Sequence, residues 1–198
     1  MGDSVQIVVI GSRKTDAETM TTMGKVLAAA IRKALAMNIG VLVTSGACAE
    51  GPDQVQLLLS RIFDDERVTF IAYLPDDRKL WLSKVYPNVK FVVGTDDERH
   101  RAIVRELHPA PDNLKDFAYR LHGRNLEIIA GPDLETLADV VYFSAPENDK
   151  GIVSGGTAMG VSYARSRSVP AFNAFLPDGT DAFIRHVRTL LRNTSGRE

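Results

Sequence analysis

Three short stretches of this sequence combine small, flexible and anion-binding residues. The first is Gly11-Ser12-Arg13-Lys14. A glycine lets a ligand or a neighbouring backbone come close, a serine hydroxyl donates, and an arginine grips phosphate with two parallel hydrogen bonds. The second is Ser45-Gly46-Ala47, followed by Glu50, Gly51 and Asp53. An aspartate in such a loop most often bonds its own backbone. Glu50 is the candidate catalytic carboxylate, able to accept from a ribose hydroxyl or take a proton, and a solvated loop carboxylate is its plain alternative. The third is Ser154-Gly155-Gly156-Thr157, directly ahead of a helical pattern, where two glycines and two hydroxyls make an anion cradle. Arg124-Asn125, ahead of Ile128-Ile129-Ala130-Gly131, adds a cation and an amide that reach the same crevice or stay on a helix surface.

Other chemistries find less footing. No stretch carries the glycine-lysine-serine/threonine run of a P-loop or the G-x-G-x-x-G dinucleotide fingerprint. His100, His108, His122 and His186 lack metal-ligand spacing and default to the surface, and the single cysteine, Cys48, reads as a small buried residue. Neither a metal nor a cofactor is expected. Tyr73, Trp81, Tyr86 and Tyr142 can stack on a base, with core packing the simpler use.

The elements that must position these turns follow one pattern. Apolar, β-branched runs over residues 5–10, 41–44, 68–74, 89–93, 138–144 and 169–175 predict strands buried on both faces. Between them, helical spacing predicts helices opening at Thr15 or Asp16 and carrying Met20 to Leu35, then over 52–63, 97–107, 113–129, from 158 to 165, and over 181–191, with a frayed tail from 193 to 198. Alternating strands and helices predict a single α/β domain spanning 1–198. Its fold class is a doubly wound, mostly parallel, Rossmann-like sheet with helices on both faces. Ligands in such sheets bind beyond the carboxyl ends of the strands, where all three turns fall.

Composition narrows the setting. The 198 residues are 44% apolar and carry 24 basic against 25 acidic side chains, for a net charge of -1. A balanced total leaves no global footprint for DNA or an anionic membrane. No run is long enough to span a bilayer. Met1-Gly2-Asp3-Ser4 lacks the basic and apolar segments of a secretory signal, so a cytoplasmic location is expected.

Taken together, the Gly11-Ser12-Arg13 turn, the Ser45-Gly46-Ala47 turn with Gly51 and Asp53, the Arg124-Asn125 stretch through Gly131, and Ser154-Gly155-Gly156-Thr157-Ala158 resemble the superfamily of the DNA-processing protein A (Smf), LOG and SLOG proteins. They span most of the chain in the expected order, and the Smf-like branch fits best. The resemblance implies a Rossmann domain that binds single-stranded DNA, forms a homodimer and helps load a recombinase. The LOG enzymes carry a Pro-Gly-Gly-x-Gly-Thr-x-x-Glu motif whose glutamate serves catalysis; here residues 158–165 hold no carboxylate.

Three readings follow. The first is a module binding nucleotide phosphates, as single-stranded DNA or a small nucleotide, through the glycine turns with Arg13, Lys14 and Arg124. The second is an enzyme cleaving a nucleoside or nucleotide N-glycoside, using Glu50 or Asp53, with Glu147 further off. The third is a sensor of a signalling nucleotide in a closed pocket. One feature separates a DNA track from a pocket: whether Arg13, Lys14, Arg120 and Arg124 share one exposed face. Phe183, Val187, Leu190 and Leu191 of the last helix are expected in the core, with a dimer interface as the alternative.

Overall fold

In the computed structural model, which describes residues 3–196, six strands form one sheet in the order β4-β3-β2-β1-β5-β6, and every pairing is parallel. In chain order the elements are β1 (Ser4–Gly11), α1 (Ala17–Ala36), β2 (Gly40–Ser45), α2 (Asp53–Leu59), β3 (Val68–Leu74), β4 (Val89–Val93), α3 (Glu98–Leu107), α4 (Asp116–Ala130), β5 (Val140–Ser144), α5 (Thr157–Ser166), β6 (Ala171–Asn173) and α6 (Gly179–Ser195). The doubly wound Rossmann-like fold is therefore present. The order reverses between β1 and β5, the place where sheets of this kind commonly take ligands.

Alternation along β1 shows why the sheet is apolar on both faces. Val5, Ile7 and Val9 join one core with Met23, Leu27 and Ile31 of α1 and Phe183, Val187 and Leu191 of α6. Val8 and Ile10 join the other, with Leu126 and Ile129 of α4 and Val161 and Ala164 of α5. Each fully buried aliphatic side chain contributes roughly 1.5–3 kcal/mol. Asp16 caps α1 by accepting from the Thr19 amide at 2.8 Å. Phe183, Val187 and Leu191 lie in the core, with Leu190 packed against it.

Boundaries depart from the sequence expectation where side chains or prolines intervene. The second helix ends at Leu59 rather than 63, and Ser60 turns back to bond the Leu57 carbonyl. The fourth helix begins at Asp116 rather than 113, because Pro111 opens a separate 3₁₀ turn, Pro111–Asn113. The sixth strand keeps only three residues of the expected 169–175. Pro170 has no amide to donate, and the Asn173 side chain accepts from the Ala145 and Phe175 amides, turning the chain away. A 3₁₀ segment, Asp77–Lys84, spans most of the connection between β3 and β4. The last helix runs past 191 to Ser195 with Thr194 buried, so fraying does not begin at 193; Arg197 and Glu198 of that expected tail, like Met1 and Gly2, lie outside the described residues.

Candidate functional site

The first and second turns are locked together. Ser12 donates its amide to the Ser144 carbonyl at 2.7 Å, and Thr15 bonds both the Ser12 carbonyl and the Ser144 hydroxyl. These bonds close the gap between β1 and β5. A Cβ at Gly11 would sit 2.6 Å from the Ser144 oxygen and collide with Pro52, and one at Gly51 would sit 2.5 Å from the Ser12 oxygen. Gly51 also holds φ +82. At both positions the missing side chain makes room for the neighbouring turn rather than for a ligand. Arg13 and Lys14 project from this edge, exposed.

Gly46 serves another purpose. The Arg124 guanidinium occupies the space its side chain would fill, with Asp53 Oδ2 alongside. Arg124 is only 5% exposed, because α4 carries it beneath the end of β2, where Thr44 Oγ donates to the Ile128 carbonyl at 2.8 Å. Its one hydrogen bond is a 3.8 Å contact to Cys48 Sγ, its Nε has no partner, and it forms no ion pair among the described residues. Ser45, just before it, is buried with an unpartnered hydroxyl. Asp53, also buried, accepts from the Cys48 amide at 3.0 Å, which holds the loop beyond Ala47 in shape. Burial, and then the Asp53 charge, push the Cys48 thiol up, away from the thiolate a nucleophile needs.

The third turn stands open. Nothing lies within 4 Å of a Cβ built on Gly155 or Gly156, and Ser154, Gly155 and Gly156 are all exposed. Gly156 caps α5 without a side-chain bond, while the Ala158 amide donates to the Gly155 carbonyl at 3.1 Å. Asn125 ties this turn to α4 by donating to the Gly156 carbonyl at 3.1 Å, while Thr157 is buried at the first helical position. Arg124 and Asn125 thus stand back to back, one at the second turn and one at the third.

The remaining candidates fall away from this arrangement. Glu50 is exposed and makes no hydrogen bond among the described residues. Glu147 is held by Arg165 at 2.8 Å and by Asn173 at 2.9 Å. Arg13, Lys14, Arg120 and Arg124 do not form one exposed face: Arg124 is buried and Arg120 is paired with Asp96. His100, expected at the surface, is 2% exposed. Its Nδ1 lies 2.7 Å from Asp97 and its Nε2 3.3 Å from Glu127.

Sequence reasoning passed over Glu127, which is fully buried one turn after Arg124 on α4. Its Oε1 accepts from the Thr95 amide at 2.7 Å, while Oε2 has no partner and lies over Gly94. Burial pushes its pKa up, against the opposing pull of the Thr95 bond and His100. The signal was a carboxylate inside the apolar run Leu126-Glu127-Ile128-Ile129. Burial, aided by the Glu127 and Asp133 charges, pushes the nearby Tyr73 hydroxyl up to about 12.

No protein-family model, curated protein or solved structure matches this chain. No helix among the described residues is long and apolar enough to cross a membrane.

Proposed function

We propose that this chain binds a small phosphorylated ligand of the nucleotide class at the carboxyl edge of β1, β2 and β5. Arg124 is the anion's partner, and the Gly155-Gly156 turn at the start of α5 is the adaptable half of the cradle. The observation that carries this reading is Arg124 itself: a nearly buried guanidinium seated at Gly46 beside Asp53, with an orphaned Nε and no ion pair among the described residues. Buried donors left without acceptors are costly, and an incoming phosphate offsets that cost with charge-assisted hydrogen bonds. The helix dipole of α5, whose start has no side-chain cap, favours negative charge at the neighbouring turn. The order of the turns, similar to that of the Smf-like proteins, supports the same reading.

A compact ligand suits the arrangement better than a DNA track. Strand binding draws on a row of exposed cations, and here the row is broken by the burial of Arg124 and the pairing of Arg120. Catalysis has weaker support: Glu50 is exposed and takes part in no ion pair or hydrogen bond among the described residues that would position it.

The test is a calorimetric titration with a panel of mononucleotides, beside fluorescent single-stranded DNA at two salt concentrations. We expect saturable mononucleotide binding, weakened roughly 10- to 100-fold by Arg124→Met. Tight DNA binding that falls steeply with salt would move the assignment to a strand-binding module. Mononucleotide binding untouched by Arg124→Met would overturn the site.

A further inference from the structure

On the opposite face of the sheet, α1 and α6 leave a groove of ≈ 750 Å³ between them. Its floor is aliphatic, formed by Val26 and Ala30 of α1 and by Ile184 and Val187 of α6. Its rims are cationic: Lys25 and Lys33 on one side, Arg188 and Arg192 on the other. Lys25, Ala29 and Lys33 recur every four residues, as do Ile184, Arg188 and Arg192, so each helix presents one ridge along the groove.

The charge here is out of step with the rest of the molecule. In a chain of net charge -1, α1 and α6 carry Lys25, Arg32, Lys33, Arg185, Arg188 and Arg192 against only Glu18 and Asp181. Elsewhere seven arginines pair with carboxylates, as in Arg67–Asp65, Arg101–Asp96 and Arg165–Glu147. None of the four rim cations takes part in an ion pair among the described residues.

We infer that this groove docks an amphipathic helix of a partner protein, with an aliphatic stripe on its buried face and acidic side chains along both flanks. The stripe removes the apolar floor from water, and the flanks meet the unpaired lysines and arginines. Other occupants fit less well. A second copy seated by two-fold symmetry sets the same cationic rims against each other. A bilayer surface does not reach a floor recessed between two helices, and the one aromatic in the lining, Phe183, is fully buried against Tyr142 and offers a nucleic acid nothing to stack on.

The inference is independent of the phosphate site and is tested on the full chain with a synthetic helical peptide that carries a leucine stripe flanked by glutamates. Saturable binding is expected, with amide chemical-shift changes confined to α1 and α6 and an affinity that falls with added salt. The exposed double variant Arg188→Glu/Arg192→Glu should weaken this peptide roughly tenfold or more and gain affinity for a lysine-flanked counterpart. Ala29→Trp, which fills the groove, should abolish both. No saturable binding, equal affinity for both peptides, or binding that survives Ala29→Trp would overturn the inference. So would a concentration-dependent dimer dispersed by Ala29→Trp, which assigns the groove to a second copy. Capture by anionic vesicles lost in the Arg188→Glu/Arg192→Glu variant would assign it to a membrane.

Discussion

The two sides of the candidate site are both made of glycines, yet they are built on opposite principles. Around Gly11, Gly46 and Gly51 every missing side chain is already replaced, by Pro52 and the Ser144 carbonyl, by the Arg124 guanidinium and by the Ser12 carbonyl. Around Gly155 and Gly156 the space is empty. One side is already filled and holds its cation in place. The other leaves both glycine Cα positions uncrowded. A fixed charge with an adaptable loop opposite limits the ordering cost of binding to one segment.

The sharpest way to break this comparison is a pair of single methyl groups. Gly51→Ala forces a side chain into a φ of +82 and against the Ser12 oxygen, so we expect a loss of roughly 2–4 kcal/mol in stability. Gly156 has φ -63 and ψ -22, which alanine adopts freely, and nothing crowds it. Gly156→Ala should therefore raise stability by about 0.4–1 kcal/mol while its methyl group weakens ligand binding. Chemical denaturation of both variants measures the contrast. Equal losses in the two would erase the distinction between a filled side and an open one.

Much of this was readable beforehand, for identifiable reasons. The strands were legible because a sheet covered on both faces demands unbroken apolar runs, such as Val5 to Ile10. The turns were legible because small residues stand where those runs stop. Who fills the space beside each glycine was not, since Gly51 meets Ser12 and Gly46 meets Arg124 only once the sheet is assembled. The burial of Arg124 was hidden for the same reason: it depends on α4 passing beneath β2, a contact between residues 84 apart in sequence at Thr44 and Ile128. His100 was misplaced because a charged stretch, Asp96 to Arg101, hides one inward-facing ring.

A second prediction sharpens the fixed side. Gly46→Ala places a methyl group where the guanidinium lies. Arginine is flexible, so the chain should fold, but Arg124 loses its seat and ligand affinity should fall about as far as for Arg124→Met, roughly 10- to 100-fold. Calorimetry on the two variants and their double mutant checks this. Independent, additive losses would mean that Gly46 and Arg124 act separately.

A smaller effect is expected where the two sides join. Asn125→Ala removes the bond to the Gly156 carbonyl and frees the third turn from α4. Because the turn is exposed, stability should drop by about 0.5–1.5 kcal/mol, the net worth of one hydrogen bond. Amide exchange should rise at Gly155 and Gly156 and stay unchanged at Gly46. Faster exchange at Gly46 as well would show that the two sides open together.

The smallest effect belongs to the buried cluster behind Arg124, and it separates the rigidity of the fixed side from its charge. Burial raises the Glu127 pKa above its ordinary 4.5, so the folded chain holds that proton longer than the unfolded one does. Stability from this group is then greatest below the unfolded value and declines as pH rises through the raised one. The groups facing it are His100, which itself contacts Asp97, and Tyr73, whose own titration lies far above this range. Glu127→Gln keeps an oxygen for the Thr95 amide and removes the ionisation, so its melting temperature should vary less across the same pH interval than that of the natural chain. The difference is modest because the Thr95 bond and His100 both favour the charged form and offset part of the burial. A pH profile unchanged by the substitution would mean that Glu127 keeps its charge throughout, and that Arg124 rests one turn from a permanent anion rather than a neutral acid.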